Sequence, residues 1–380
     1  MIFLDTAATT PCDAELARRL AERLTEPANP LSVHQQGQRA RARLDVARDR
    51  MADLLGVESS EVVFTASATE SNNLCLRGLA ARQPLRIVRS ELEHSCVRET
   101  SAALERSGHA TVELLRVDQD GRAILPNSLP ESHPESLKVL CLMSVQNETG
   151  VTQPLAEARA FALRAGALWL CDATQAFGLA PFRRPELGWD FLSLSSHKVY
   201  GPPGVGVLAG PGVARIAPML TGGPQEQDRR AGTQPVALIE AFVDAAIIAA
   251  ETAGSRRAQL AALETAFLET LGAESVPYRR NGNPAFTVPG FLNISVTGLE
   301  SVDLVIGLDA LGFAISSGPA CATGVMELSP ALTAMFPDDA ARVAGAVRIT
   351  PGRETQPDEM IRCARAIARI HRRSSAGVGG

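Results

Sequence analysis

Lysine is nearly absent from this chain. Of its 37 basic side chains only two, Lys138 and Lys198, are lysines. Arginine therefore does the ordinary work of surface charge, and each primary amine raises a chemical question. A basic excess is also missing. The formal net charge is -5, which argues against a surface built to neutralise nucleic-acid phosphates, and no stable direct nucleic-acid binding is expected. No run approaches the length of a membrane span; the most apolar helical stretch, around Phe242 to Ala250, falls far short. The opening Met-Ile-Phe-Leu-Asp brings a charge too early for a secretory leader. Seven cysteines form no CxxC pair, which suits a reducing compartment, and a cytoplasmic location is expected. Cys75, Cys141 and Cys171 sit in apolar periodic runs and read as core packing. No internal repeat is visible.

What is present fits a folded α/β protein. With 380 residues, 45% hydrophobic and 21% charged, the chain has material for a substantial core and more than one domain. Helical patterns at 13–25, 38–55, 70–81, 95–107 and 155–165 alternate with short apolar runs at 62–65, 85–89, 111–117, 138–143, 167–171, 191–195 and 205–208. Such alternation predicts a mostly parallel sheet covered on both faces. From Pro235 to Leu271 the pattern is long and helical, with a break near Gly254. Strands at 286–288, 291–296 and 347–350, with helices near 300–311 and 355–371, then predict a smaller α/β domain, and the final Ser-Ser-Ala-Gly-Val-Gly-Gly is expected to fray. The expected division is a large domain over 13–255, with 1–12 and 256–380 forming the small one.

Ligands in such folds bind beyond the carboxyl ends of the strands, where His94, Asn147, Asp172 and Lys198 would lie. Lys138 opens an apolar run and reads as a strand-edge residue. Lys198 ends Phe-Leu-Ser-Leu-Ser-Ser-His-Lys and precedes Val-Tyr-Gly-Pro-Pro-Gly. An amine in that setting can form a Schiff base, which a guanidinium cannot. Asp172 follows Leu-Trp-Leu-Cys; a carboxylate there can pair with a protonated heterocyclic nitrogen or simply cap a turn. Ser-Ala-Thr-Glu-Ser at 67–71 reads equally as a strand-to-helix anion site or an ordinary helix N-cap. Ser193, Ser195 and Ser196 with His197 form a second hydroxyl cluster. Two phosphate-competent clusters, a strand-end acid and a rare lysine together imply pyridoxal phosphate. A further loop, Ser-Ser-Gly-Pro-Ala-Cys-Ala-Thr-Gly at 316–324, surrounds Cys321 with small residues, so its thiol either reaches a substrate or is an incidental loop cysteine. Arg348 ends a strand-like run and could fork onto a carboxylate. No metal site is indicated.

These segments resemble the cysteine desulfurase family of fold-type I pyridoxal-phosphate enzymes. The likeness runs through Phe-Leu-Asp-Thr-Ala-Ala-Thr-Thr at 3–10, Asn-Pro-Leu-Ser-Val-His at 29–34, Ala-Thr-Glu-Ser-Asn-Asn at 68–73 and Glu-His at 93–94. It continues in Gln-Asn-Glu-Thr-Gly at 146–150, Asp-Ala-Thr-Gln at 172–175, Ser-Ser-His-Lys at 195–198 and Gly-Gly-Pro-Gln-Glu with Arg-Ala-Gly-Thr at 222–233. It ends with the Cys321 loop and Arg-Ile-Thr-Pro-Gly-Arg at 348–353. The spacing from Cys321 to Arg348 resembles the subgroup with a long catalytic loop.

The resemblance implies a role for each matching residue. Lys198 would bond the cofactor and move protons, and His94 would stack on the cofactor ring. Asp172 would pair with the ring nitrogen and Gln175 with the phenolic oxygen. Thr69, Ser195, His197 and the Ala68 amide would hold the phosphate, with Thr233 reaching the neighbouring subunit's cofactor in a homodimer. Asn147 and Arg348 would bind the substrate carboxylate. Cys321 would take sulfur from L-cysteine as a persulfide, leaving L-alanine, and pass it to an acceptor protein. The implied activity is that of a cysteine desulfurase; selenocysteine lyase, a related aminotransferase or lyase, and a non-catalytic sulfur-relay scaffold are the alternatives. Iron–sulfur cluster assembly, tRNA thiolation, DNA phosphorothioation and specialised biosynthesis are all compatible destinations for the sulfur. Three positions depart from the family pattern: Ser67 and Gln146 mildly, and Pro319 by fixing φ two residues before Cys321. Cys96, two residues after His94, is unusual and reads as structural.

Overall fold

The computed structural model describes residues 1–129, 136–180, 182–318 and 328–377. Cys321 and Pro319 lie outside the described residues.

An eight-stranded sheet organises residues 62–209. Its strands are β1 (Val62–Thr65), β2 (Leu85–Ser90), β3 (Ala110–Val117), β4 (Ala123–Ile124), β5 (Leu137–Cys141), β6 (Leu168–Asp172), β7 (Phe191–Ser195) and β8 (Gly206–Ala209). They lie in the order β1-β8-β7-β6-β5-β2-β3-β4. From β7 to β3 neighbouring strands are parallel; β8 runs against both β1 and β7, and β4 against β3. The expected mostly parallel sheet is therefore present, with reversed strands towards its edges.

Side-chain alternation explains how this sheet supports two layers of helices. Phe64, Val88, Leu140, Trp169 and Leu192 point into one core, shared with α1 (Ala14–Arg23), α2 (Gln35–Leu55), α5 (Leu155–Ala165) and α6 (Val236–Glu251). Their neighbours Val63, Ile87, Val139, Leu170 and Phe191 point into the opposite core, under α3 (Ala68–Ala80) and α4 (Ser95–Arg106). Trp169 is fully buried, and its indole N–H donates to the Leu142 carbonyl at 3.3 Å. Cys75, Cys141 and Cys171 are wholly buried, as packing predicted, and burial drives their thiols far from ionisation.

A second core gathers Leu4, Phe267, Leu292, Leu304, Val347 and Ile367. It lies among α7 (Ala253–Ala273), α8 (Ser301–Asp309), α9 (Pro357–Gly377) and a three-stranded antiparallel sheet of β9 (Tyr278–Arg280), β10 (Leu292–Val296) and β11 (Ala346–Ile349). Ile2 and Phe3 pair in parallel with Phe313 and Ala314, which carries the chain's first residues to this unit. Two local readings change. The strand expected at 286–288 is replaced by a 3₁₀ turn over Pro284–Phe286, because Pro284 opens it and the Asn283 side chain accepts the Ala285 N–H at 2.9 Å. The tail expected to fray continues α9 as far as Gly377.

One segment is strained. Glu226, Gln227 and Asp228 are consecutive non-glycine residues with φ of 50°, 57° and 62°. Left-handed backbone costs roughly 1–2 kcal/mol per residue, so surrounding contacts must hold it.

Candidate active site

The carboxyl ends of β1, β5, β6 and β7 share one edge of the sheet, and the segments leaving them line a cleft of about 220 Å³. Beyond β1, Ser67 is extended and its hydroxyl accepts the Glu70 N–H at 3.1 Å, which starts α3 at Ala68 rather than near residue 70. The first amides of α3 thus face the cleft beside Thr69. The family's usual glycine would lack this cap, so Ser67 is a benign departure. Gln146 is equally well accommodated: its side-chain oxygen accepts the Glu148 and Thr149 N–H groups at 2.7 and 2.8 Å.

Asp172 ends β6 and is buried. One carboxylate oxygen accepts the Thr174 N–H at 3.0 Å and the other the Asn72 amide at 2.8 Å. The acid is therefore both the turn cap and a fixed, cleft-facing carboxylate, each oxygen retaining a lone pair. Beyond β7, Ser195 and His197 reach the cleft. Ser193 and Ser196 do not line it: both are buried with hydroxyls unpartnered among the described residues. The second hydroxyl cluster thus reduces to Ser195 with His197, whose ring bonds Thr9 at 3.0 Å. Burial first, and then the Lys198 charge, push His197 down to about 4, so it is neutral at ordinary pH.

Lys198 follows in a short 3₁₀ turn. Its ammonium donates to the main-chain carbonyls of Ala7 and, at 2.8 Å, Ala8; the Gln175 amide also donates to Ala7, at 2.8 Å. Lys198 and Gln175 also border a second cavity of about 90 Å³, and so stand between the two spaces. Burial, and then the nearby Arg348 charge, lower the Lys198 pKa to about 8, against partial opposition from Asp172 and Asp5. Lys138, by contrast, donates to the Ala165 carbonyl at 3.0 Å and so caps the C-terminus of α5. It is structural.

His94 caps α4. Its Nδ1 accepts the Cys96 N–H at 3.2 Å and lies 3.1 Å from the Cys96 sulfur. An Nδ1 used as an acceptor places the neutral ring's proton on Nε2, and burial lowers the His94 pKa. Cys96 also lines the cleft, but burial followed by the Asp172 charge pushes its thiol up to about 12. It remains a neutral thiol, in keeping with a structural role.

Nine of the twelve residues singled out from the sequence line this cleft: Ala68, Thr69, His94, Asn147, Asp172, Gln175, Ser195, His197 and Lys198. Arg348 stands beside it on β11, one guanidinium nitrogen donating to the Asn147 carbonyl and another to Asp5, both at 2.7 Å. Its Nε is buried without a partner among the described residues. Thr233 is exposed in the segment after the strained residues. Cys321 lies outside the described residues.

The sequence reading missed Asp5, Asn72 and Glu93. Asp5 orients Arg348, Asn72 holds Asp172, and Glu93 is a buried acid raised to about 8, chiefly by burial, whose carboxylate accepts the Met143 N–H at 2.8 Å. Each stands inside one of the runs that carried the family resemblance, which was the available signal.

The arrangement fits a phosphorylated aldehyde cofactor. Helix amides and hydroxyls suit its phosphate, Asp172 a ring nitrogen, and a depressed amine its carbonyl; the buried Thr174 hydroxyl, which lines the cleft, still lacks a partner among the described residues. The lysine pKa gives a direct test. Only the neutral amine is nucleophilic, so pyridoxal-phosphate capture by cofactor-free protein should accelerate with rising pH and level off above about 8. A midpoint near 10.5, the ordinary lysine value, in a stopped-flow pH series would contradict this electrostatic picture.

Comparison with known proteins agrees with this geometry. Residues 2–350 match the family model described as aminotransferase class-V. The putative cysteine desulfurase IscS 1 of Bacillus subtilis is 32% identical over 376 residues, covering 98% of this chain and 99% of that protein. A solved NifS-like protein superposes with a TM-score of 0.89 at 27% identity, covering 97% of this chain and 98% of that one. The structure of SspA in complex with cysteine gives 0.77 at 26% identity, covering 92% and 99%.

Proposed function

The chain belongs to the cysteine desulfurase family of pyridoxal-phosphate enzymes, and from that premise we propose that it converts L-cysteine to L-alanine, with the sulfur first lodged on Cys321. The observation that best supports this reading is the meeting of a depressed lysine amine, a fixed carboxylate and a helix N-terminus in one cleft. The cofactor, when bound, withdraws electrons from the substrate's α carbon and so makes its α proton acidic.

The chain's own residues supply the rest. Ala68, Thr69, Ser195 and His197, all lining the cleft, would hold the phosphate. Asp172, fixed by Asn72 and the Thr174 amide, would keep the ring nitrogen protonated. Gln175, whose amide also donates to the Ala7 carbonyl, would donate to the phenolic oxygen. His94, a neutral imidazole with its proton on Nε2, would stack against the cofactor ring. Arg348, held beside the cleft by Asp5 and the Asn147 carbonyl, receives the substrate carboxylate. The Asn147 side chain adds a second contact. Lys198, whose pKa lowered to about 8 gives it a far larger neutral fraction near neutral pH than an ordinary lysine has, moves a proton at the α carbon.

Cys321 as thiolate attacks the substrate sulfur. The new bond is S–S, the broken bond is C–S, and the electron pair of that bond remains with the carbon fragment, which gains protons and leaves as alanine. The sulfur is oxidised to the sulfane level and the β carbon is reduced by the same two electrons, so no outside oxidant is needed. The product persulfide passes its outer sulfur to an acceptor protein. Thr233 serves the phosphate of the partner subunit in a homodimer.

Quantifying alanine and sulfide from cysteine under a thiol reductant tests the assignment, with equal amounts expected. Preferential turnover of selenocysteine, or transfer of the amino group to a 2-oxo acid, would replace it with a lyase or aminotransferase reading.

A further inference from the structure

The strained residues 226–228 have no part in the cleft of their own subunit, yet the fold holds them firmly. The Glu226 backbone is left-handed while its side chain is buried, 3% exposed. Its carboxylate accepts four hydrogen bonds: two from Arg48, each 2.8 Å, one from the Phe64 N–H at 2.8 Å, and one from the Gln234 side chain at 2.7 Å. Every lone pair of the carboxylate is thereby used. Arg48 is itself buried, donates to the Val62 carbonyl at 2.6 Å and lies over the Phe64 ring. The pair thus joins α2, strand β1 and the strained turn.

These ties converge on one exposed residue. Gln234, bonded to Glu226, directly follows Thr233. Gly232 directly precedes it, and its N–H donates to the Gln225 side chain at 3.1 Å. Arg230 pairs with Glu70 at 2.8 Å, on the helix whose N-terminus bears Thr69. Thr233 is therefore pinned on both sides, yet its own hydroxyl takes no hydrogen bond among the described residues. Strain maintained by a fully satisfied buried anchor marks a segment shaped for a purpose, and here the segment presents one outward hydroxyl.

We propose that Glu226, locked by Arg48, is a positioning residue that holds Thr233 in place to bind the cofactor phosphate of a second copy of this chain. This rests on the reading of Thr233 as a contact made across the dimer. Arg48 and Glu226 touch neither cofactor nor substrate; they act through the backbone on either side of Thr233. The site of each subunit is thereby set partly by a buried ion pair in its partner.

The test is a double-mutant cycle on the holoenzyme, reading the rate of pyridoxal-phosphate loss, with melting temperature and dimer content as companions. T233A should release cofactor about tenfold faster, the effect of one hydrogen bond to a charged group. E226Q should do likewise. The double variant should be no more than about twofold faster than the quicker single variant, because both changes remove the same contact. Rates that multiply, or wild-type retention in E226Q, would overturn the positioning role while leaving the Thr233 contact standing. Wild-type retention in T233A would overturn the contact and the positioning role together.

E226Q leaves Arg48 buried with a weakened partner, so the folded yield can fall. The paired variant Gln227→Gly with Asp228→Gly avoids the core and relieves the left-handed backbone. It should melt no lower than wild type and yet lose cofactor several-fold faster, because the turn no longer holds Thr233. Wild-type retention in this variant would also contradict the proposal.

Discussion

Replacing Lys198 by alanine is expected to lower cysteine turnover by about 10⁴-fold, the upper range for losing a positioned acid–base group. Loss of the covalent anchor deepens the defect. The chain holds no substitute lysine, since Lys138 is committed to the Ala165 carbonyl at the end of α5. Lys198→Arg should be as inactive as Lys198→Ala: it restores the positive charge but supplies no nucleophile and no usable base at neutral pH. That comparison separates charge from chemistry. Both variants should keep weak, non-covalent affinity for pyridoxal phosphate, because the α3 amides, Ser195 and Asp172 remain. Borohydride reduction of the native holoenzyme should fix the cofactor to a peptide containing Lys198 and leave Lys138 unmodified. Substantial turnover in Lys198→Arg would remove the lysine from the mechanism.

Replacing Cys321 by alanine is expected to lower alanine and sulfide formation by about 10³-fold or more, as for loss of an essential nucleophile, while leaving cofactor occupancy intact. The nearest possible rescuer is Cys96, which lines the cleft beside His94. With its thiol near 12, its thiolate fraction at pH 7 is about 10⁻⁵, against a few per cent for an ordinary exposed cysteine. Cys96→Ala should therefore change turnover by less than about twofold. A large loss in Cys96→Ala, paired with a small one in Cys321→Ala, would exchange their roles.

The residues proposed to bear the chemistry were legible as a cluster because local chain features place them. Asp172, Ser195 and Lys198 follow apolar strands whose ends must meet at one edge of a parallel sheet, and Thr69 begins the helix after such a strand. Less legible were the residues that hold them. Asn72 meets Asp172 across 100 positions, Arg48 meets Glu226 across 178, and Arg348 meets Asp5 across 343. No periodicity connects such pairs; only the folded chain does. Strand β9 was hidden for another reason. Tyr-Arg-Arg has no apolar alternation of its own and is a strand because β10 pairs with it in register. The opposite error at 286–288 arose where Asn283 and Pro284 supplied turn chemistry stronger than the apolar signal around them. Ser193 and Ser196 looked like equals of Ser195 in a string of hydroxyls, yet the fold buries them away from the cleft.

The central claim, that sulfur leaves cysteine for Cys321, is most directly tested in a single turnover. Holoenzyme mixed with one equivalent of L-cysteine, without reductant, is quenched, digested without reduction and analysed by mass spectrometry, with alanine measured in parallel. The account predicts one added sulfur atom on the peptide bearing Cys321 for each alanine formed, and no sulfur on Cys96. Alanine produced with Cys321 unmodified would contradict it.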